Sequence, residues 1–144
     1  MGLKQYIREA MYEALKSNMY HKHGAVIIYR NKIIGRGYNY NLGKDMRMKN
    51  GKWSVHAETQ AINDCDDYNK LSDSTLIVVR ISPYFFDVVK SGEATHNIHH
   101  YTKESCPCPK CRKTIKKYKI NRVLHSWCLA RFNIFYFIRK LKKY

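Results

Sequence analysis

His56-Ala57-Glu58 and Pro107-Cys108-Pro109-Lys110-Cys111 decide how the rest of the 144-residue chain is read. One imidazole and two thiols are good zinc ligands, and three is the informative number. A structural zinc site closes its tetrahedron with four protein ligands, whereas a catalytic site uses three and leaves the fourth position to water. His56, Cys108 and Cys111 follow the second pattern. Glu58 lies two residues beyond the imidazole and is not needed as a ligand, so it is free to move protons. The competing reading is a structural zinc completed by His96, His99 or His100, which leaves Glu58 without a role.

Each motif is expected at the start of a helix. Ser54 as N-cap would open a helix from Val55 to Asp66, with Val55, Thr59, Ile62 and Cys65 near one face. Pro107 suits the first turn of a helix over 107–118, which presents Cys108 and Cys111 at i and i+3. The positive end of each helix dipole favours thiolates, hydroxide and an ionised Glu58.

The flanking segments supply a sheet. Residues 24–29 and 33–38 are β-branched runs joined by Arg30-Asn31-Lys32 and read as a hairpin, with Gly35 and Gly37 marking a bulge or a close approach, here by a ligand. Residues 75–81 form a continuous apolar run expected as a central strand buried on both faces, and 121–126 read as another strand. Residues 3–17 carry apolar positions at helical spacing, and 129–143 read as a closing helix. Polar, glycine-punctuated residues 39–54 read as a loop, and 83–105 show no clear pattern. This alternation predicts one domain over 1–144, with its core at about 20–126, as a three-layer α/β/α sandwich around a mixed sheet.

Composition narrows the setting. No apolar run approaches the roughly 20 residues needed to cross a bilayer, and the N-terminus lacks the apolar stretch of a signal peptide. Five cysteines, two of them in a C-x-x-C after a proline, favour metal binding in a reducing compartment over a disulfide framework. An intracellular protein is expected, in the cytoplasm or also the nucleus. The 27 basic residues against 11 acidic ones give a net charge of +16. That surplus fits a polyanionic partner or substrate, and also the Lys- and Asn-rich bias of an AT-rich coding sequence.

With its motifs placed, the chain resembles the cytidine and deoxycytidylate deaminase family. H-x-E…P-C-x-x-C is the signature of zinc nucleobase deaminases. Gly24-Ala-Val-Ile-Ile is similar to the family's first strand, Gly37-Tyr38-Asn39 to its G-Y-N, and Ile120-Asn-Arg-Val-Leu to the strand after its cysteine helix. The resemblance implies Zn2+ held by His56, Cys108 and Cys111, with Glu58 as proton shuttle. It also implies contacts from Asn39 to the sugar and from the Ala57 N–H to the pyrimidine. The family's cytidine deaminase-like fold and its habit of forming homo-oligomers follow as expectations. Two departures stand out: a longer segment between the third strand and the cysteines, and Ser-Cys-Pro-Cys in place of Glu-Pro-Cys.

Three functions compete at this level. The first is hydrolytic deamination of a free pyrimidine nucleotide, dCMP to dUMP. The second is deamination of cytosine in single strands or adenosine in tRNA, using the basic, aromatic C-terminal region to bind nucleic acid. The third is a zinc-containing nucleic-acid-binding module without catalysis, against which an intact Glu58 argues. His96, His99 and His100 could form a second metal site or a solvated loop. Cys65 and Cys128 are read as core residues, Cys106 as lying off the face of the two ligand cysteines, and Trp53 as stacking on a base or packing beneath its loop. His21 and His23 are read as lying near a substrate phosphate or as merely opening a strand.

Overall fold

The computed structural model describes residues 2–42, 54–83 and 102–126. Its elements are α1 (Leu3–Leu15), β1 (Lys22–Tyr29), β2 (Lys32–Tyr38), β3 (Tyr40–Asn41), β4 (Ser54–Val55) and α2 (Ala57–Asn63). A 3-10 turn (Tyr68–Asp73), β5 (Thr75–Ile81), β6 (Thr102–Lys103), α3 (Pro109–Lys117) and β7 (Arg122–His125) follow. Asp67 caps the 3-10 turn by accepting the Asn69 N–H at 3.0 Å. Trp53, His96, His99, His100, Cys128 and the expected closing helix over 129–143, with its basic residues, lie outside the described residues. No helix among the described residues is long and apolar enough to cross a membrane.

β1 and β2 form the expected hairpin, turning at Arg30 and Asn31 with φ of 46° and 62°. Positive φ at both central residues matches the right-handed twist of the flanking strands. β5 pairs antiparallel with β1 on one side. On its other side β5 pairs parallel with β7 along Thr75–Val78 and then antiparallel with β6 at Arg80 and Ile81, so the sheet is mixed. Ile77, Val79 and Ile81 face α1, where Ala10, Met11 and Ala14 cover them. Leu76 and Val78 face the opposite layer, with Ala61 and Ile62 of α2 and Ile115 of α3. β5 is therefore buried on both faces, as its unbroken apolar run predicts.

Gly35 and Gly37 do mark a close approach, but the approaching element is α2 and not a ligand. A Cβ on Gly37 would stand inside the contact distance of the Ala57 carbonyl oxygen, and one on Gly35 inside that of Ala61. Small residues on both sides let the helix lie directly on β2. Gly37→Ala is expected to destabilise the fold by about 1–3 kcal/mol, the usual cost of overpacking. It would also lower zinc affinity by displacing the helix start that carries His56. Chemical denaturation together with a zinc-binding titration would check both effects.

Both zinc-motif helices start later than the sequence suggests. Ser54 and Val55 are not a cap and first turn; they pair with Asn41 and Tyr40, and α2 begins at Ala57 with His56 as N-cap. Its buried face is accordingly Ala57, Glu58, Ala61 and Ile62 rather than a stripe through Val55 and Thr59. Close packing on two glycines selects alanines where periodicity favours bulk. α3 begins at Pro109, which takes the early-helix position where a missing N–H costs nothing, and Cys108 is its N-cap.

Candidate active site

The sheet brings the two helix starts together. His56 Nδ1 lies 3.5 Å from Cys108 Sγ and 3.2 Å from Cys111 Sγ, and the three donor atoms all fall within 4.8 Å of one another. A tetrahedral zinc with ordinary bond lengths separates a nitrogen and a sulfur ligand by about 3.6 Å, so the donors stand close to where the ion requires them. Cys108 Sγ also accepts the Cys111 N–H at 3.5 Å, which orients one thiol with the backbone of the helix that carries the other. Cys106 points elsewhere: its sulfur accepts from Arg112 Nη2 at 3.2 Å.

Glu58 is buried in the first turn of α2. Burial pushes its carboxyl above the ordinary range, opposed by its own backbone N–H, the His56 charge and contact with the Cys111 thiol. The sequence alone favours an ionised Glu58 at the helix end; desolvation works against that and moves the carboxyl toward the range useful for proton exchange. Burial likewise drives the Cys111 thiol far above its usual range, reinforced by the charges of Glu58 and Cys108. The Glu58 carboxyl and the Cys111 thiol, crowded in one buried spot, both resist ionisation, and a divalent cation reverses that resistance. The donor set therefore fits zinc on both geometry and charge.

Residues behind the site fix its position. Where the β5 ladder passes from β7 to β6, two serines fill the gap. The Ser105 hydroxyl donates to the Val78 carbonyl at 2.8 Å, and its N–H donates to the Ser126 carbonyl at 2.8 Å. The Ser126 hydroxyl accepts the Arg80 N–H at 3.1 Å and donates to the Lys103 carbonyl at 2.6 Å. This clasp anchors the chain three residues before Cys108. The sequence signal for it, a serine just upstream of the motif, is too common to single out.

Asn39 is buried beside the site, where its Oδ1 accepts the His23 N–H at 2.7 Å and its Nδ2 donates to the His21 carbonyl at 2.6 Å. Its amide therefore ties the entry of β1 to the end of β2. The N–H of Ala57, at the first position of α2, is one of the donors for which a helix supplies no partner. Cys65 sits in the core with its thiol on the Ala61 carbonyl.

His23, the neighbour of Asn39, has its pKa lowered to about 4, chiefly by burial and further by the charges of Arg80, His21 and His56, against a bond to the His21 carbonyl. Its folded pKa lies below the unfolded value of 6.5, so the unfolded chain binds the extra proton between these two pH values. Stability is then unaffected by this group above pH 6.5 and falls as pH drops toward 4, by up to about 3 kcal/mol. Urea unfolding across that window should show a shallower pH dependence for His23→Gln than for the parent chain.

Comparison with known proteins gives the family and the fold. A family profile described as the cytidine and deoxycytidylate deaminase zinc-binding region matches residues 2–126. Among solved structures, the dCMP deaminase of cyanophage S-TIM5 is similar at 20% identity and a TM-score of 0.53, covering 87% of this chain and 84% of that one. The same phage enzyme has also been solved in complex with dCMP and dUMP. A cytidine deaminase from Burkholderia pseudomallei is similar at 16% identity and a TM-score of 0.57, covering 87% and 83%. At such identities these likenesses establish the cytidine deaminase-like fold. A search of curated proteins finds no match.

Proposed function

The chain belongs to the cytidine and deoxycytidylate deaminase family, and on that premise we propose that it hydrolyses the exocyclic amine of a cytosine nucleotide, with dCMP as substrate and dUMP and ammonia as products. The observation that carries this reading is the three-ligand group with a buried carboxyl beside it: His56, Cys108 and Cys111 would leave one zinc position open, and Glu58 lies against the Cys111 thiol. Zinc, when bound, would supply the acidity that makes water a nucleophile at neutral pH.

The chain's own groups do the rest. Glu58 accepts a proton from the attacking water and delivers it to the pyrimidine ring nitrogen as the oxygen adds to C4. It then takes the remaining proton from the oxygen now on C4 and passes it to the departing amine, which leaves as ammonia as the C4 carbonyl forms. One carboxylate serves both steps because each proton it takes is one it next gives. The Ala57 N–H is assigned to the pyrimidine carbonyl. Asn39 is assigned to the sugar, with its amide already held against the 21–23 segment. The choice of a nucleotide over a nucleoside is supported by Arg80 and Lys103, which stand opposite each other at the ends of β5 and β6, and by the dCMP and dUMP bound to the similar phage enzyme. The basic C-terminal region on which a polynucleotide substrate would rely lies outside the described residues.

Ammonia release by zinc-loaded protein tests the proposal, with dCMP, dCTP, cytidine, guanine, single-stranded DNA and tRNA offered in parallel. Release from dCMP above all others is expected. Release confined to DNA or tRNA would replace this substrate with a polynucleotide, and release from none would remove the enzyme reading.

A further inference from the structure

One step beyond the buried rows of the sheet, β1, β5 and β6 each present a polar residue on the zinc side. His23 of β1 stands opposite Arg80 of β5, and Arg80 stands opposite Lys103 of β6. Asn39, just past β2, extends the row by donating its N–H to the His23 carbonyl at 3.2 Å. The preceding row holds Gly37, Ala25 and Val78, and it lies under α2, with Gly37 directly beneath Ala57. The polar row therefore runs beside the helix end that carries His56 and Glu58, close enough for His56 to act on the His23 charge.

The four residues divide into a neutral pair and a cationic pair. Asn39 accepts the His23 N–H and donates to the His21 carbonyl, and the half-buried His23 ring faces that same carbonyl. Arg80 is half-buried, and its Nη2 meets His21 Nδ1 at 2.7 Å. Among the described residues no carboxylate forms an ion pair with it. A guanidinium carries five N–H donors, of which the imidazole takes one. A partly desolvated cation without a counter-charge is costly to keep. It is also the one charged residue in an otherwise apolar central strand. Lys103, exposed, adds a second positive charge on the same row.

We propose that Arg80, with His21 and Lys103 beside it, binds the phosphate monoester of the substrate nucleotide and so selects nucleotide over nucleoside. This rests on the deaminase reading above. Planar, multidentate Arg contacts are the strong form of phosphate recognition, whereas an exposed lysine contributes mainly long-range, salt-screened attraction. His21 holds the guanidinium plane through its contact at 2.7 Å.

The test compares dCMP with deoxycytidine as substrates, and dUMP with deoxyuridine as calorimetric ligands, for the zinc-loaded parent, Arg80→Ala and Arg80→Lys. Arg80→Ala should lower kcat/KM for dCMP about 10- to 100-fold and weaken dUMP binding to a similar extent, while leaving deoxycytidine turnover and deoxyuridine binding within about threefold. Arg80→Lys, which keeps the charge and loses the fork, should fall between. Inorganic phosphate should compete with dUMP on the parent and not with deoxyuridine. Equal losses on nucleotide and nucleoside would show a structural role and overturn the proposal, as would no loss on either. If the parent deaminates none of these compounds, the deaminase reading fails by itself. The calorimetry then still decides the subsite: equal binding of dUMP and deoxyuridine by the parent would overturn it.

Discussion

Glu58→Gln should keep zinc at one ion per chain and lose about 10²- to 10⁴-fold in kcat, the span covered by removing a general acid–base. The substitution preserves shape and hydrogen-bonding capacity at a buried position where the charged form is already disfavoured by desolvation, so the fold should be at least as stable as the parent. Zinc content by elemental analysis, thermal unfolding and single-turnover kinetics separate these effects. Loss of metal together with activity would mean that Glu58 supports the ion and not the proton transfers. A variant active within tenfold of the parent would mean that another group moves the protons.

The second large effect is expected at Cys111. It is buried, it contributes one of the three ligand atoms, and its backbone N–H also orients Cys108. Cys111→Ala should abolish stoichiometric zinc binding and all turnover. Because a bound ion stabilises the folded state by its binding free energy, the variant should also melt where chelator-treated parent melts, and chelator should not shift it further. Retention of tight zinc by the variant would assign the third ligand position to another residue.

The metal-ligand set was legible in the sequence, and the local geometry around it was less so. Three ligands and a spare carboxylate can be read from residue types and spacing, since zinc chemistry restricts both. The hairpin and β5 were legible because a β-branched run and an unbroken apolar run each carry a strong pattern. The helix starts were not. Ser54 has the side chain of a cap, but Ser54 and Val55 pair with Asn41 and Tyr40, which leaves α2 to start at Ala57. Gly35 and Gly37 announced a close approach without naming what approaches. Arg80 passed in the sequence as one residue of the continuous β5 run. Its significance depended on the register that sets it beside His23 and Lys103, which is a property of strand pairing and not of local sequence.

The central claim is that a zinc ion at His56, Cys108 and Cys111, with Glu58 beside it, turns a cytosine nucleotide into its uracil counterpart. Zinc-loaded protein incubated with dCMP should release ammonia and dUMP in equal amounts, and chelation should stop the release. Absence of ammonia from dCMP and every other mononucleotide, with zinc confirmed in the site, would contradict it.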